Sequence, residues 1–173
     1  QVIIGARISI LVGVLAAFIA VFIGVNIGLI SGYFGGWVDD VLMRFTDIAY
    51  GLPFLPFVLV LVFLLGPSLW SIAIVISVLL WRSTARVIRS QVLSHKERPY
   101  VESARAIGAS DTRIMYYHIL PNVIPLAFLY GSFSVAWAVI AEASISFLGF
   151  GDPSMTSWGQ ILFNAYSSGA IRS

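Results

Sequence analysis

Long apolar runs alternate with short polar stretches along this chain. The first run, residues 8–30, contains no charge. A second helix is predicted over about 37–65, a third span over about 69–81 that continues as an amphipathic helix, and a fourth over about 119–148. About 20 helical residues cross a hydrocarbon core, so runs of this length read as membrane spans. Between Arg98 and Pro121 the pattern turns polar, and its punctuation predicts a short helix, a glycine turn and a second helix. Pro99 suits the first helical position, where its missing N–H costs nothing. Gly108 can take the positive φ that ends a helix, and Ser110 caps the next one with Asp111 set against its dipole. The predicted fold class is an all-α integral membrane bundle. One transmembrane domain over 1–173 carries four spans and a polar hairpin over 96–118.

Composition strengthens the membrane reading. The chain is 59% hydrophobic and 10% charged, against about 25% charged residues in soluble domains. It has no cysteine, which excludes disulfides and cysteine-ligated metal sites. No metal site and no catalytic residue are predicted, and nothing points to a nucleic-acid partner. The chain opens at Gln1 directly into apolar residues, and reads as the central piece of a longer protein. Charge sets the orientation. Residues 82–118 hold seven of the ten basic residues and three of the eight acids, a net +4, while the rest of the chain sums to −2. The positive-inside rule places 96–118 on the cytoplasmic side. Counting spans then puts 32–47 on that side, and 66–68 and 149–173 on the extracytoplasmic side.

Individual residues sharpen the picture. Gly24, Gly28 and Gly32 lie four apart on one helical side, a spacing that lets another helix approach closely in lipid. Arg44 is placed to meet Asp40 or Asp47 one turn away, and Arg82, Arg86 and Arg89 share one face. Pro53 and Pro56 should kink or break the second helix. Two readings of them stand, a purely structural kink and a lining of the translocation path, where freed carbonyls meet water. Glu142, an acid within the fourth span, also has two readings. An intramembrane acid suggests function, here an outer gate or a partner contact, while pairing inside the bundle is the structural alternative. His95 and His118 read as interfacial residues. In the hairpin, Arg98, Glu102 and Arg105 are spaced for i+4 and i+3 pairs, and Val101, Ala104 and Gly108 form a narrow face of small residues. A solvated, salt-bridged loop would satisfy the same pattern.

Glu102-Ser103-Ala104, Gly108 six residues after the Glu, and Leu120-Pro121 resemble the EAA loop of bacterial and archaeal ABC-importer permeases. Two positions depart from the general pattern: Ser103 replaces the middle alanine, and His118 stands where isoleucine is usual. The stretch from Tyr100 to Ser110 with His118-Ile119-Leu120-Pro121-Asn122 is similar to the dipeptide/oligopeptide branch, nearest the DppC/OppC-type subunit. So are Gly35-Gly36-Trp37-Val38-Asp39, the run from Ala141 to Gly149, and Ser157-Trp158-Gly159. The resemblance covers nearly the whole chain.

The resemblance implies a type I ABC importer transmembrane fold, with a further span beyond each end of this chain. The hairpin would be the coupling element, docked in a cleft of an ATPase subunit through Arg98, Glu102, Ser103, Ala104, Arg105, Gly108, Ala109 and Ser110. It implies as partners a homologous DppB/OppB-like permease, two ABC ATPase subunits, an extracytoplasmic substrate-binding protein beside 150–173, and membrane lipid. A phosphate loop needs Gly-x-x-x-x-Gly-Lys-Ser/Thr, and no glycine here is followed by lysine. ATP and Mg therefore belong to the partner ATPases, and this chain is expected to be a transport subunit without enzyme activity. The implied cargo is short peptides, with oligosaccharides, nickel or glutathione as alternatives within the branch. A gradient-driven secondary transporter using Glu142 is the alternative of another class.

Overall fold

The computed structural model describes residues 2–169, so Arg172 and the last turn of the predicted outer segment lie outside the described residues. Helix α1 spans Val2–Phe34, α2 Gly36–Gly51, α3 Phe54–Leu65, α4 Leu69–His95 and α5 Pro99–Ala106. Helix α6, Asp111–Arg113, leads through a π-helical turn, Ile114–Ile119, into α7, Leu120–Ile145. A second π-helical turn, Ser146–Phe150, precedes α8, Trp158–Ser167. Among the described residues three helical runs are long and apolar enough to cross a membrane: Val2–Phe34, Leu69–His95 and Asp111–Phe150. A fourth appears if α2 and α3 count as one broken span.

Two expectations change. The predicted second helix is interrupted at Leu52-Pro53, and only one of its two prolines is responsible. Pro53 stands outside the helix as the N-cap of α3, with extended φ/ψ of −66° and 121°. Pro56 falls in the first turn of α3, where a backbone N–H has no intrahelical acceptor to lose. The fourth span is also longer than predicted. Its helical run starts at Asp111, so the polar second arm of the hairpin and the span are one 40-residue element.

The chain divides into two compact units. The first comprises Ala20–Gly51 and Leu80–Gly131. Here the expected glycine face is found at work. A Cβ on Gly24 would lie 2.6 Å from the Trp81 carbonyl oxygen, and one on Gly28 2.7 Å from that of Ala85. A Cβ on Gly32 would meet the Arg89 carbonyl oxygen at 2.9 Å. Helices α1 and α4 therefore touch backbone to backbone, which only glycine permits. The arginine face of α4 turns to α2. Arg82 donates to the Ala49 carbonyl, Arg86 pairs with Asp47 at 2.7 Å, and Arg89 forms a two-pronged bond to the buried Asp39. Asp39 also accepts from the Ser31 hydroxyl. The Arg82 and Arg86 guanidinium groups lie 4.8 and 4.3 Å from the Tyr50 ring centroid, in cation–π range. Arg44 forms no ion pair among the described residues, with either Asp40 or Asp47, and Asp47 pairs with Arg86 instead.

The second unit comprises Gln1–Ile19, Leu52–Leu79 and Ser132–Ser173. Its core holds Val58, Val62, Ile72, Ile76 and Ile145. Gly13 of α1 receives Val139 of α7, and Gly159 of α8 sits where a Cβ would be 2.4 Å from the Ala143 carbonyl oxygen. In both units large apolar side chains face outward, among them Ile3, Phe22, Phe63, Phe128 and Trp137. Apolar exposure on this scale suits hydrocarbon, not water.

The close approach of α1 and α4 makes a direct prediction. Gly28→Val should destabilise the protein by about 3 kcal/mol, the upper end of overpacking costs. Gly131→Ala should stay within about 0.5 kcal/mol, since its nearest neighbour would be a Val21 methyl at 3.5 Å. Thermal unfolding of the two variants in detergent compares them.

Candidate functional site

The hairpin is built on a core of its own. Val101 and Ala104 of α5 pack against Leu29, Tyr33, Ile88, Val92, Ile114 and Ile119. Of the small-residue face, Val101 and Ala104 point inward, while Gly108 is exposed. Ala104 is only 4% exposed, and its smallness serves packing against α1 and α4. Gly108 ends α5 with φ of 82°. The Ala109 N–H returns to the Ala104 carbonyl and the Gly108 N–H to that of Arg105, each at 3.0 Å, which satisfies the helix's last carbonyls. Ala109 is half-buried against the same core. The Ser110 hydroxyl accepts from the Arg113 N–H at 3.4 Å, as expected of a cap. Asp111 does more than face a dipole. It accepts the Tyr33 hydroxyl at 2.6 Å, and Arg105 lies beside that hydroxyl.

The predicted Arg98–Glu102–Arg105 ion pairs do not form among the described residues; the Glu102 side chain makes neither an ion pair nor a hydrogen bond there, while its N–H donates to the Arg98 carbonyl at 3.3 Å. The Ser103 hydroxyl turns back to the Pro99 carbonyl at 2.8 Å. Tyr100 and His95 Nδ1 are 3.0 Å apart, and burial pushes the Tyr100 phenol up despite Arg98. The face of α5 left open consists of Glu102, Ser103, Arg105 and Ala106, and runs on to Gly108 and Ser110. Ile107 joins it, 86% exposed at the tip. Motif matching overlooked Ile107. The available signal was a large aliphatic residue placed immediately before the turn glycine of a polar hairpin.

Glu142 is bonded within its own unit. It is 2% exposed in its unit, and accepts the Ser9 hydroxyl at 2.8 Å and the Ser146 hydroxyl at 2.7 Å. Ser9 in turn accepts the Trp158 N–H at 3.2 Å, and the Trp158 indole donates to the Val2 carbonyl. One carboxyl group thus ties α7 to α1, and through Ser9 to the start of α8. Beside it lies a cavity of about 10 Å³ lined in part by Ile8, Leu69, Asp152 and Ser157, and by neither Pro53 nor Pro56. Both prolines are exposed. Asp152 accepts the Ser154 hydroxyl at 2.6 Å and N–H groups of Ser154 and Leu69, and the Ser154 hydroxyl foremost holds its carboxyl below the usual range.

Helical runs of spanning length and an apolar exterior define an integral membrane protein. Residues 24–171 match the family of binding-protein-dependent transport system inner membrane components, and the chain belongs to that family. It is 44% identical over 160 residues to the oligopeptide transport system permease protein OppC of Haemophilus influenzae, covering 92% of this chain and 51% of that protein. The OppC protein of Escherichia coli K12 is 41% identical over 169 residues, covering 97% and 56%. The dipeptide transport system permease protein DppC of Bacillus subtilis is 41% identical over 156 residues, covering 90% and 49%. The chain spans about half the length of these relatives.

The bonding of Glu142 predicts an asymmetry between two substitutions. Glu142→Ala strands two buried hydroxyls and should cost about 1–3 kcal/mol. Glu142→Gln keeps a carbonyl acceptor and should lose less than half of that amount. Equal losses in thermal unfolding would show that bonding to Ser9 and Ser146 is not what Glu142 contributes.

Proposed function

We propose that this chain is the membrane-spanning permease part of an ATP-driven importer for short peptides, and that α5 with the Gly108 turn docks into a separate ATPase subunit. The observation that carries the reading is the hairpin's division of labour. Val101 and Ala104 anchor it in a packed core, while Glu102, Ser103, Arg105, Ala106 and Ile107 stay open on its outer side. A rigid anchored helix transmits displacement, and an exposed aliphatic side chain amid polar ones suits the buried centre of a subunit interface. Rim charges such as Arg98 and Arg105 add steering more than affinity. Family membership and the resemblance to OppC and DppC proteins support the transport role and the peptide cargo.

In this reading residues 82–118 face the cytoplasm, supported by their net charge of +4. The outer segment beyond Phe150 faces the extracytoplasmic side of the cell membrane and its substrate-binding protein. ATP and Mg act on two ATPase subunits, and a homologous permease completes the path. The bonding of Glu142 to two hydroxyls favours a structural post over a proton relay.

The test separates folding from coupling. Nothing lies within 4 Å of a Cβ built on exposed Gly108, so the side chain of Gly108→Trp leaves the backbone into open space. Its positive φ adds a local cost of about 1–2 kcal/mol. The assembled importer carrying Gly108→Trp or Ile107→Asp should keep its spans folded and lose substrate-stimulated ATP turnover by about tenfold or more. Normal stimulated turnover in both variants would sink the docking assignment. Uptake assays with peptides against sugars, nickel and glutathione test the cargo separately.

A further inference from the structure

The second arm of the hairpin carries a feature that shares only Ser110 with the residues assigned to ATPase docking. An open groove of about 660 Å³ is lined by Ser110, Thr112, Arg113, Tyr116 and Tyr117. Arg113 is exposed and makes no ion pair among the described residues. The Tyr116 ring is held as a wall, because its hydroxyl donates to Asn26 Oδ1 at 2.7 Å. Tyr117 is 77% exposed.

We propose that this groove binds the phosphate headgroup of an anionic phospholipid. Three observations choose the occupant. The guanidinium of Arg113, with the Ser110 and Thr112 hydroxyls beside it, offers donors in the fork geometry that suits a phosphodiester. The groove sits in the polar first turns of the helical run Asp111–Phe150, just before that run becomes apolar. Tyrosines at such a boundary mark headgroup depth. Tyr117, Pro121, Ile124 and Phe128 recur at i, i+4, i+7 and i+11 and are all exposed, so an apolar track for acyl chains leads away from the groove. A soluble subunit covering the groove would leave that track unused. The net +4 of residues 82–118 adds the charge match to an anionic leaflet. The proposal needs only the chain's place in a membrane, so it stands or falls apart from ATPase docking.

Native mass spectrometry of the delipidated, full-length importer complex tests it, with phosphatidylglycerol, phosphatidylcholine and inorganic phosphate as probes. Phosphatidylglycerol should be retained, phosphatidylcholine should bind about tenfold more weakly, and phosphate alone should not be retained. Arg113→Gln should weaken phosphatidylglycerol binding about tenfold, and Arg113→Lys much less. Thr112→Glu, which sets a like charge in the groove, should reproduce the loss if Arg113→Gln proves unstable. Undiminished retention in both Arg113→Gln and Thr112→Glu overturns the proposal. So does equal binding of phosphatidylcholine, or retention of phosphate alone.

Discussion

The backbone contact between α1 and α4 is the constraint on which the hairpin-bearing unit depends. Helices in lipid gain nothing from the hydrophobic effect when they associate, so close van der Waals packing has to hold them. Gly24, Gly28 and Gly32 bring α1 against the Trp81, Ala85 and Arg89 backbone at distances no side chain allows. With that side of α4 occupied, Arg82, Arg86 and Arg89 are left to meet α2, and each finds a partner there. A buried carboxylate such as Asp39 is tolerable only because Arg89 and Ser31 both reach it.

The hairpin inherits its position from the same contact. Its core consists of residues from α1, α4, α5, the first π-helical turn and the first turns of α7, so α5 is seated on the pair that α1 and α4 form. Ala104 shows the consequence. A small residue at a motif position reads naturally as room for a partner, yet the room is consumed by the chain's own packing. Tyr33 at the end of α1 then fixes Asp111, which locks the start of the second arm to the same framework.

What the sequence made legible follows from local rules. Hydropathy runs, the glycine spacing, the positive φ of Gly108 and the cap at Ser110 each depend on a few neighbouring residues, and each was found. What it missed depends on distant partners. Local spacing offered Arg44 either Asp40 or Asp47, but it pairs with neither among the described residues, and Arg86, 39 positions from Asp47 along the chain, reaches that carboxylate. Two prolines three apart looked equivalent, and only the register of α3 separates Pro53 as a breaker from Pro56 in a harmless first turn. Glu142 drew attention as an intramembrane acid, while its donor Ser9 lies 133 positions away and carries no sequence signal of its own. Exposed Ile107 was hidden because a motif directs attention to the residues it names.

The continuity of the helical run Asp111–Phe150 bears on how a push at the hairpin would travel. A loop between hairpin and span would absorb displacement by rotating its free dihedrals. A helix has few to spare, so its base is coupled to the following turns as far as Pro125, the proline inside α7. The π-helical turn Ile114–Ile119 is the one local departure in the base, and its buried residues Ile114, Met115 and Ile119 are packed into the hairpin core. That packing stiffens the place where the helix is least regular. A lever of this kind must be held at its base without being clamped. The headgroup proposed against Arg113 and two tyrosines would meet that requirement, because it would yield sideways in the membrane plane while resisting movement along the membrane normal.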